Sequence, residues 1–136
     1  MNKFKKLALP LLTMLILTAC QSTPDSNIQP TASVEDIQKI KEEIHGQVYF
    51  KLNEYNYKLE VTDQGFINFY SYLPRSGGYV WVPVVIQDTS YKVACNYLGE
   101  YIEQGMVVKA QFVGRGGSVK LYNKQRCEGT DQLIWN

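Results

Sequence analysis

The segment Tyr91 to Arg115, "YKVACNYLGEYIEQGMVVKAQFVGR", decides how the rest of the chain is assembled. "YKVACNYL" (91–98) reads as a strand. "GEYIEQG" (99–105) reads as a short polar excursion, and "MVVKAQFV" (106–113) as a second strand that ends near Gly114. Alternation with period two and glycine at the breaks support that reading.

Working outward, the same period recurs. "VYFKL" (48–52), "YNYKLEV" (55–61) and "FINFYSYL" (66–73) precede it, then "YVWVPVVI" (79–86); "SVKLYNK" (118–124) and "QLIW" (132–135) follow it. Between 52 and 55, Asn53-Glu54 is a two-residue turn or a bulge in one long strand. Turn signals stand at "DQG" (63–65), "PRSGG" (74–78), "QDTS" (87–90) and "GRGG" (114–117). Six to eight short strands are expected, with Pro83 at an edge or bulge because it donates no N–H to a ladder. The expected class is mainly β: a small antiparallel barrel or sandwich with one N-terminal α-helix.

That helix is "SVEDIQKIKEEIHG" (33–46). Ser33 is a plausible N-cap, with Asp36 three residues on as a variant capping box. Val34, Ile37, Ile40 and Ile44 share one face at spacings of three and four. Gly46 supplies the stop, and His45 falls in the last turn, at the negative end of the helix dipole. Within 91–115, Ile102-x-x-Gly105-x-x-Val108 entering a strand resembles the second half of an OB-fold, a five-stranded Greek-key barrel. An OB-fold normally carries its helix between the third and fourth strands, whereas here the helix comes first.

The N-terminus is of a different kind. "MNKFKKLALPLLTMLILTAC" places Lys3, Lys5 and Lys6 before an apolar run, Leu7 to Leu17, too short to span roughly 30 Å of hydrocarbon. This is the form of a secretory signal. Its end, Leu17-Thr18-Ala19-Cys20, resembles the lipobox of bacterial lipoproteins; an ordinary cleaved signal with an incidental cysteine is the plainer alternative. The resemblance implies a diacylglyceryl group on Cys20, removal of residues 1–19, and acylation of the new terminus. Gln21 in the following position implies sorting to the outer membrane. Two or three acyl chains, at about 0.8 kcal/mol per buried methylene, make a stable anchor. Residues 20–33, with "QSTPDSNIQPTAS" after the cysteine, then read as a flexible tether, reaching about 45 Å at most. Residues 34–136 form one domain.

Removing residues 1–19 leaves 117 residues with eleven basic and thirteen acidic side chains, a formal charge near −2. No basic excess is left to follow a phosphate backbone, which excludes nucleic acid as the expected partner. Once Cys20 is set aside, Cys95 and Cys127 remain. In an exported chain they are expected to form a disulfide, whose loop of about 33 residues is worth roughly 3–4 kcal/mol. Two free thiols are the alternative. Two cysteines and one distant histidine do not make a metal set, and no cofactor beyond the lipid is expected.

Candidate chemistry is sparse. His45 has no serine or cysteine near it in sequence to activate, and reads as a cap residue. Glu100 with Glu103, and Glu60 with Asp63, are the carboxylate pairs that glycoside hydrolysis would use, and both read as solvated surface. "GRGG" is an anion-binding nest around Arg115 or a plain hairpin turn. Aromatic content stands out: sixteen of the 117 residues. Tyr55, Tyr57, Tyr70, Tyr72, Tyr79 and Trp81 are the candidate binding face, with Tyr70 and Tyr72 on one side of a strand and Tyr79 and Trp81 on one side of another. Tyrosine suits protein recognition or stacking on sugar rings; cross-strand packing is the plainer role.

The expected function is a non-enzymatic outer-membrane lipoprotein facing the periplasm. It would bind an envelope protein or a cell-wall component as an accessory module. The alternative is an inhibitor or immunity protein against a lysozyme-like or toxin enzyme, with Gly99–Gly105 or Pro74–Gly78 as its plug.

Overall fold

The computed structural model describes residues 28–45 and 56–129. The signal segment, Cys20, most of the tether, the Gly46 stop, the strand expected over 48–52, Tyr55 and the closing run 132–135 lie outside the described residues.

Helix α1 runs Val34–Ile44, and its start follows from Ser33. The Asp36 amide donates to Ser33 Oγ (3.1 Å), and the Ser33 hydroxyl donates to Asp36 Oδ2 (2.8 Å). A cap of this kind is worth about 1 kcal/mol. Ile37, Ile40 and Ile44 are buried. Val34 departs from the expected face: it stands at the first helical position and is 74% exposed. Ahead of the helix, the amides of Thr31 and Ala32 both donate to the Gly105 carbonyl (2.8 and 3.1 Å), so the domain takes hold of the chain before residue 34. Gly105 permits this approach. Its φ is +94°, and a Cβ there would sit 2.6 Å from the Ala32 nitrogen.

Strands β1 (Asn56–Val61) and β2 (Phe66–Tyr72) form an antiparallel hairpin, with Val61 opposite Ile67 and Tyr57 opposite Ser71. After β2 the chain becomes helical: α2 (Pro83–Tyr91), a π-helical turn (Lys92–Tyr97) and α3 (Gly99–Glu103). β3 (Val107–Val113) then pairs parallel to β2, and β4 (Val119–Tyr122) returns antiparallel to β3 before the short helix α4 (Lys124–Glu128). The described strands thus make one mixed sheet in the order β1-β2-β3-β4, which does not close into a barrel. Helix outweighs strand among the described residues, so neither "mainly β" nor "antiparallel barrel or sandwich" describes the architecture; a four-stranded mixed sheet with an N-terminal helix and several further helices does.

The expected strands over 79–86 and 91–98 are where the reading fails, and the physical reason is visible. A parallel neighbour for β2 needs a crossover, usually helical, and residues 83–103 supply it. Pro83 is not a strand-edge proline. It occupies the first position of α2, where its fixed φ suits the helix and its missing N–H is no loss. Val84, Val85 and Ile86 are weak helix formers, but burial outweighs propensity. Ile86, Ser90, Val93, Ala94, Leu98, Tyr101 and Ile102 are all buried, at spacings of four, three, one, four, three and one. In the π-helical turn the Leu98 amide donates to the Val93 carbonyl, five residues back (3.0 Å).

All the buried apolar residues but Val107 form one cluster, and it lies against one side of the sheet. Ile67, Phe69, Val108, Ala110, Phe112 and Tyr122 share that side by register. Phe112 meets both Phe69 (6.2 Å between ring centroids) and Trp81 (4.9 Å), edge to face. The Tyr122 hydroxyl and Ser90 Oγ form a buried hydrogen bond of 2.8 Å between sheet and α2. Cys95, in the π-helical turn, and Cys127, in α4, stand at disulfide distance, with Sγ–Sγ 2.01 Å. This link ties the crossover to the C-terminal helix, and Arg126 adds a cation–π contact over the Tyr122 ring at 5.1 Å.

Candidate functional site

The register divides the sheet into two sides, and the six candidate aromatics divide with it. Tyr57 belongs to the core side, stacked on Phe69 at 5.9 Å. Trp81 is 4% exposed, its indole N–H donating to the Val113 carbonyl (3.0 Å). It does not share a strand face with Tyr79, because residues 79–82 belong to no strand. Tyr55 lies outside the described residues. Tyr70 and Tyr72 project from the other side, their rings 6.5 Å apart and within 19° of parallel. Tyr79, in the loop after β2, is 56% exposed.

Around the tyrosine pair, the register sets Lys58 opposite Tyr70, Glu60 opposite Asn68, Lys109 opposite Asn68, Gln111 opposite Tyr70 and Val113 opposite Tyr72. Exposure rises along this side, from Val107, buried beside half-buried Phe66, to Tyr72 (38% exposed) and Val113 at the far end. Asn68 Oδ1 is enclosed on this side with no hydrogen-bond partner among the described residues, a rare condition for a buried acceptor.

The far end of the sheet gathers further apolar residues. The Trp81 amide donates to the Arg115 carbonyl (2.9 Å), holding the extended segment 79–82 against the β3–β4 turn. Gly116, at φ +77°, lies so close that a Cβ would come within 2.8 Å of the Trp81 carbonyl oxygen and 3.0 Å of Val80 Cγ1. Tyr79, Val80 and Val82 in this segment are exposed, as are Val113 at the end of β3 and Val119 at the start of β4. The sequence reading missed these valines. They look like interior strand residues, and only the inward turn of Trp81 leaves them outside.

The other candidates are surface features. Lys58 pairs with Glu60 (3.8 Å), Lys41 with Asp63 (2.8 Å) and Lys124 with Glu103 (2.9 Å), all well exposed. The hydrogen bond from Lys41, with its charge, holds Asp63 below the usual carboxylate range. Glu103 in the same way raises Lys124 above the usual ammonium range. His45 is an exposed C-cap residue whose backbone N–H donates to the Lys41 carbonyl (3.0 Å). "GRGG" is the β3–β4 turn, in which the Gly117 amide already bonds the Gly114 carbonyl (3.0 Å). Most of Gly99–Gly105 is α3, with Tyr101 and Ile102 buried, whereas Pro74–Gly78 is an exposed loop.

A groove of about 510 Å³ lies between residues 29–31, the α3–β3 turn and α4, lined by Gln29, Gln104, Asn123 and the paired Lys124 and Glu103. Among the described residues, no group of three His, Cys, Asp or Glu could hold a metal, and no helix is long and apolar enough to cross a membrane. No protein-family model, no curated protein and no solved structure matches the chain.

Proposed function

We propose that the protein is a non-enzymatic, lipid-anchored binding module of the bacterial outer membrane, facing the periplasm. It engages an envelope component through the side of the sheet that carries Tyr70 and Tyr72. The observation that carries this reading is the pairing of those two rings on the side away from the core, at its exposed end. Tyrosines packed for stability belong with the core, as Tyr57 and Tyr122 do. The carboxylates of the candidate pairs are exposed, and three of the four are held by lysines, which leaves the enzymatic reading without an acid–base pair across a cleft. The anchor rests on the lipobox resemblance at Leu17-Thr18-Ala19-Cys20. The disulfide fits an exported chain.

The experiment is a crosslinked pull-down of the full lipidated protein from its native envelope, beside a folded Tyr70→Ala/Tyr72→Ala variant. A partner present with the native chain and lost with the variant supports the reading; one retained by the variant sinks it. Cys20→Ala should accumulate as unprocessed precursor without label from radioactive palmitate. The exposed Pro74–Gly78 loop favours the second reading, an inhibitor of a lysozyme-like or toxin enzyme. That reading requires a tight one-to-one complex abolished by shortening the loop.

A further inference from the structure

Charge is unevenly placed around the tyrosine side. By register Lys58 and Lys109 stand on it, and Arg75 and Arg115 sit in the two loops at its exposed end. Glu60 is the one carboxylate there among the described residues. The other described carboxylates lie on the four helices or, as Asp63, in the β1–β2 turn at the opposite end of the sheet. Glu60 is taken up by Lys58 at 3.8 Å, so Arg75, Lys109 and Arg115 remain as positive charge without an ion pair among the described residues. This basic surface belongs to a chain whose mature form is net acidic, so it is a local arrangement and not a consequence of composition.

At the same end of the sheet, Tyr72, Val113 and Val119 are exposed apolar residues of this side by register, and Tyr79, Val80 and Val82 are exposed in the segment bonded to the β3–β4 turn. Resting on the reading of this side as a binding surface, we infer that it docks an acidic protein surface with an apolar centre. An apolar middle with charge at its rim is the anatomy of a protein–protein contact, and complementary rim charge steers encounter and sets register. A glycan would find no hydroxyl partners on four valines.

The test pans the full-length processed protein against a random-sequence peptide display library. Phosphatidylglycerol vesicles and polygalacturonate serve as the other anionic probes. Selected peptides are expected to flank Val, Leu or Tyr with Asp or Glu and to bind more weakly as salt rises. Their affinity should fall about tenfold or more in Arg75→Glu/Arg115→Glu and in Val80→Asp, all exposed positions where folding is checked by circular dichroism. Tighter binding to polygalacturonate would overturn the inference, as would vesicle binding, beyond that given by the lipid anchor, that the same charge reversals weaken. So would a library yielding no binders, or peptides without acidic residues, or affinities unmoved by the charge reversals. Tyr70→Ala/Tyr72→Ala separates the two failures. If it weakens binding while the charge reversals do not, the tyrosine surface stands and only its acidic partner is lost; if neither matters, both readings fail.

Discussion

The two sides of the sheet are built from the same strands, residue by residue in alternation, yet are put to different use. The core side carries Ile67, Phe69, Val108, Ala110 and Phe112, closed over by the helices. The other side carries Tyr70, Tyr72, Lys58, Lys109 and Gln111, and opens toward one end. Both sides contain aromatic rings, so ring content does not distinguish them. What distinguishes them is what the rings meet: on one side several other rings, stacked or edge to face, within the core, on the other a single near-parallel neighbour and charge. Aromatic residues in a strand therefore report recognition only once the register is known.

Substitutions should split along that division. Phe69→Ala empties the centre of the core side and is expected to cost about 3–5 kcal/mol, read by urea unfolding. Removing the Cys95–Cys127 link as a double alanine variant should lower stability by about 3 kcal/mol while leaving peptide binding at the tyrosine side intact. Tyr122→Phe removes one buried hydrogen bond, while the Ser90 hydroxyl keeps its bond to the Gln87 carbonyl, and should cost about 0.5–1.5 kcal/mol. Tyr72→Ala lies on the other side of the divide: it should change stability by less than about 1 kcal/mol and binding by far more. A loss there as large as that of Phe69→Ala would erase the distinction.

The smallest effect concerns pH. Asp63 has its folded-state pKa lowered by Lys41, so the contribution of this pair is present above the ordinary aspartate range and fades as pH falls through the lowered value. Lys41→Met should therefore remove a small stabilisation at neutral pH, small because the pair is exposed, leave stability below the lowered value unchanged, and so flatten the acid limb of the profile.

Legibility along the chain followed how local the deciding physics is. Helix α1 was readable because its cap and its apolar stripe lie within a dozen residues. β1, β2, β3 and β4 were readable from alternation, each as a strand, though their bounds shifted by a residue or two. The crossover was misread because Val, Ile, Tyr and Trp in "YVWVPVVI" advertise strand locally. The decision for helix comes from a stripe, Ile86 to Ile102, visible only when both expected strands are read as one segment. A proline followed by that stripe was the available signal. The pairing of Cys95 with Cys127 was legible by counting. The tyrosine pair was legible as an i, i+2 spacing; that Tyr57 and Trp81 go elsewhere depends on pairings across the sheet, which sequence spacing does not encode.

The most direct test of the division between the two sides is photo-crosslinking in the intact envelope. A benzophenone amino acid would replace Tyr72 in one variant and Gln38, exposed on α1, in another. A discrete adduct from position 72 and none from position 38 is the predicted result. The same adducts from both positions, or none from position 72, would contradict it.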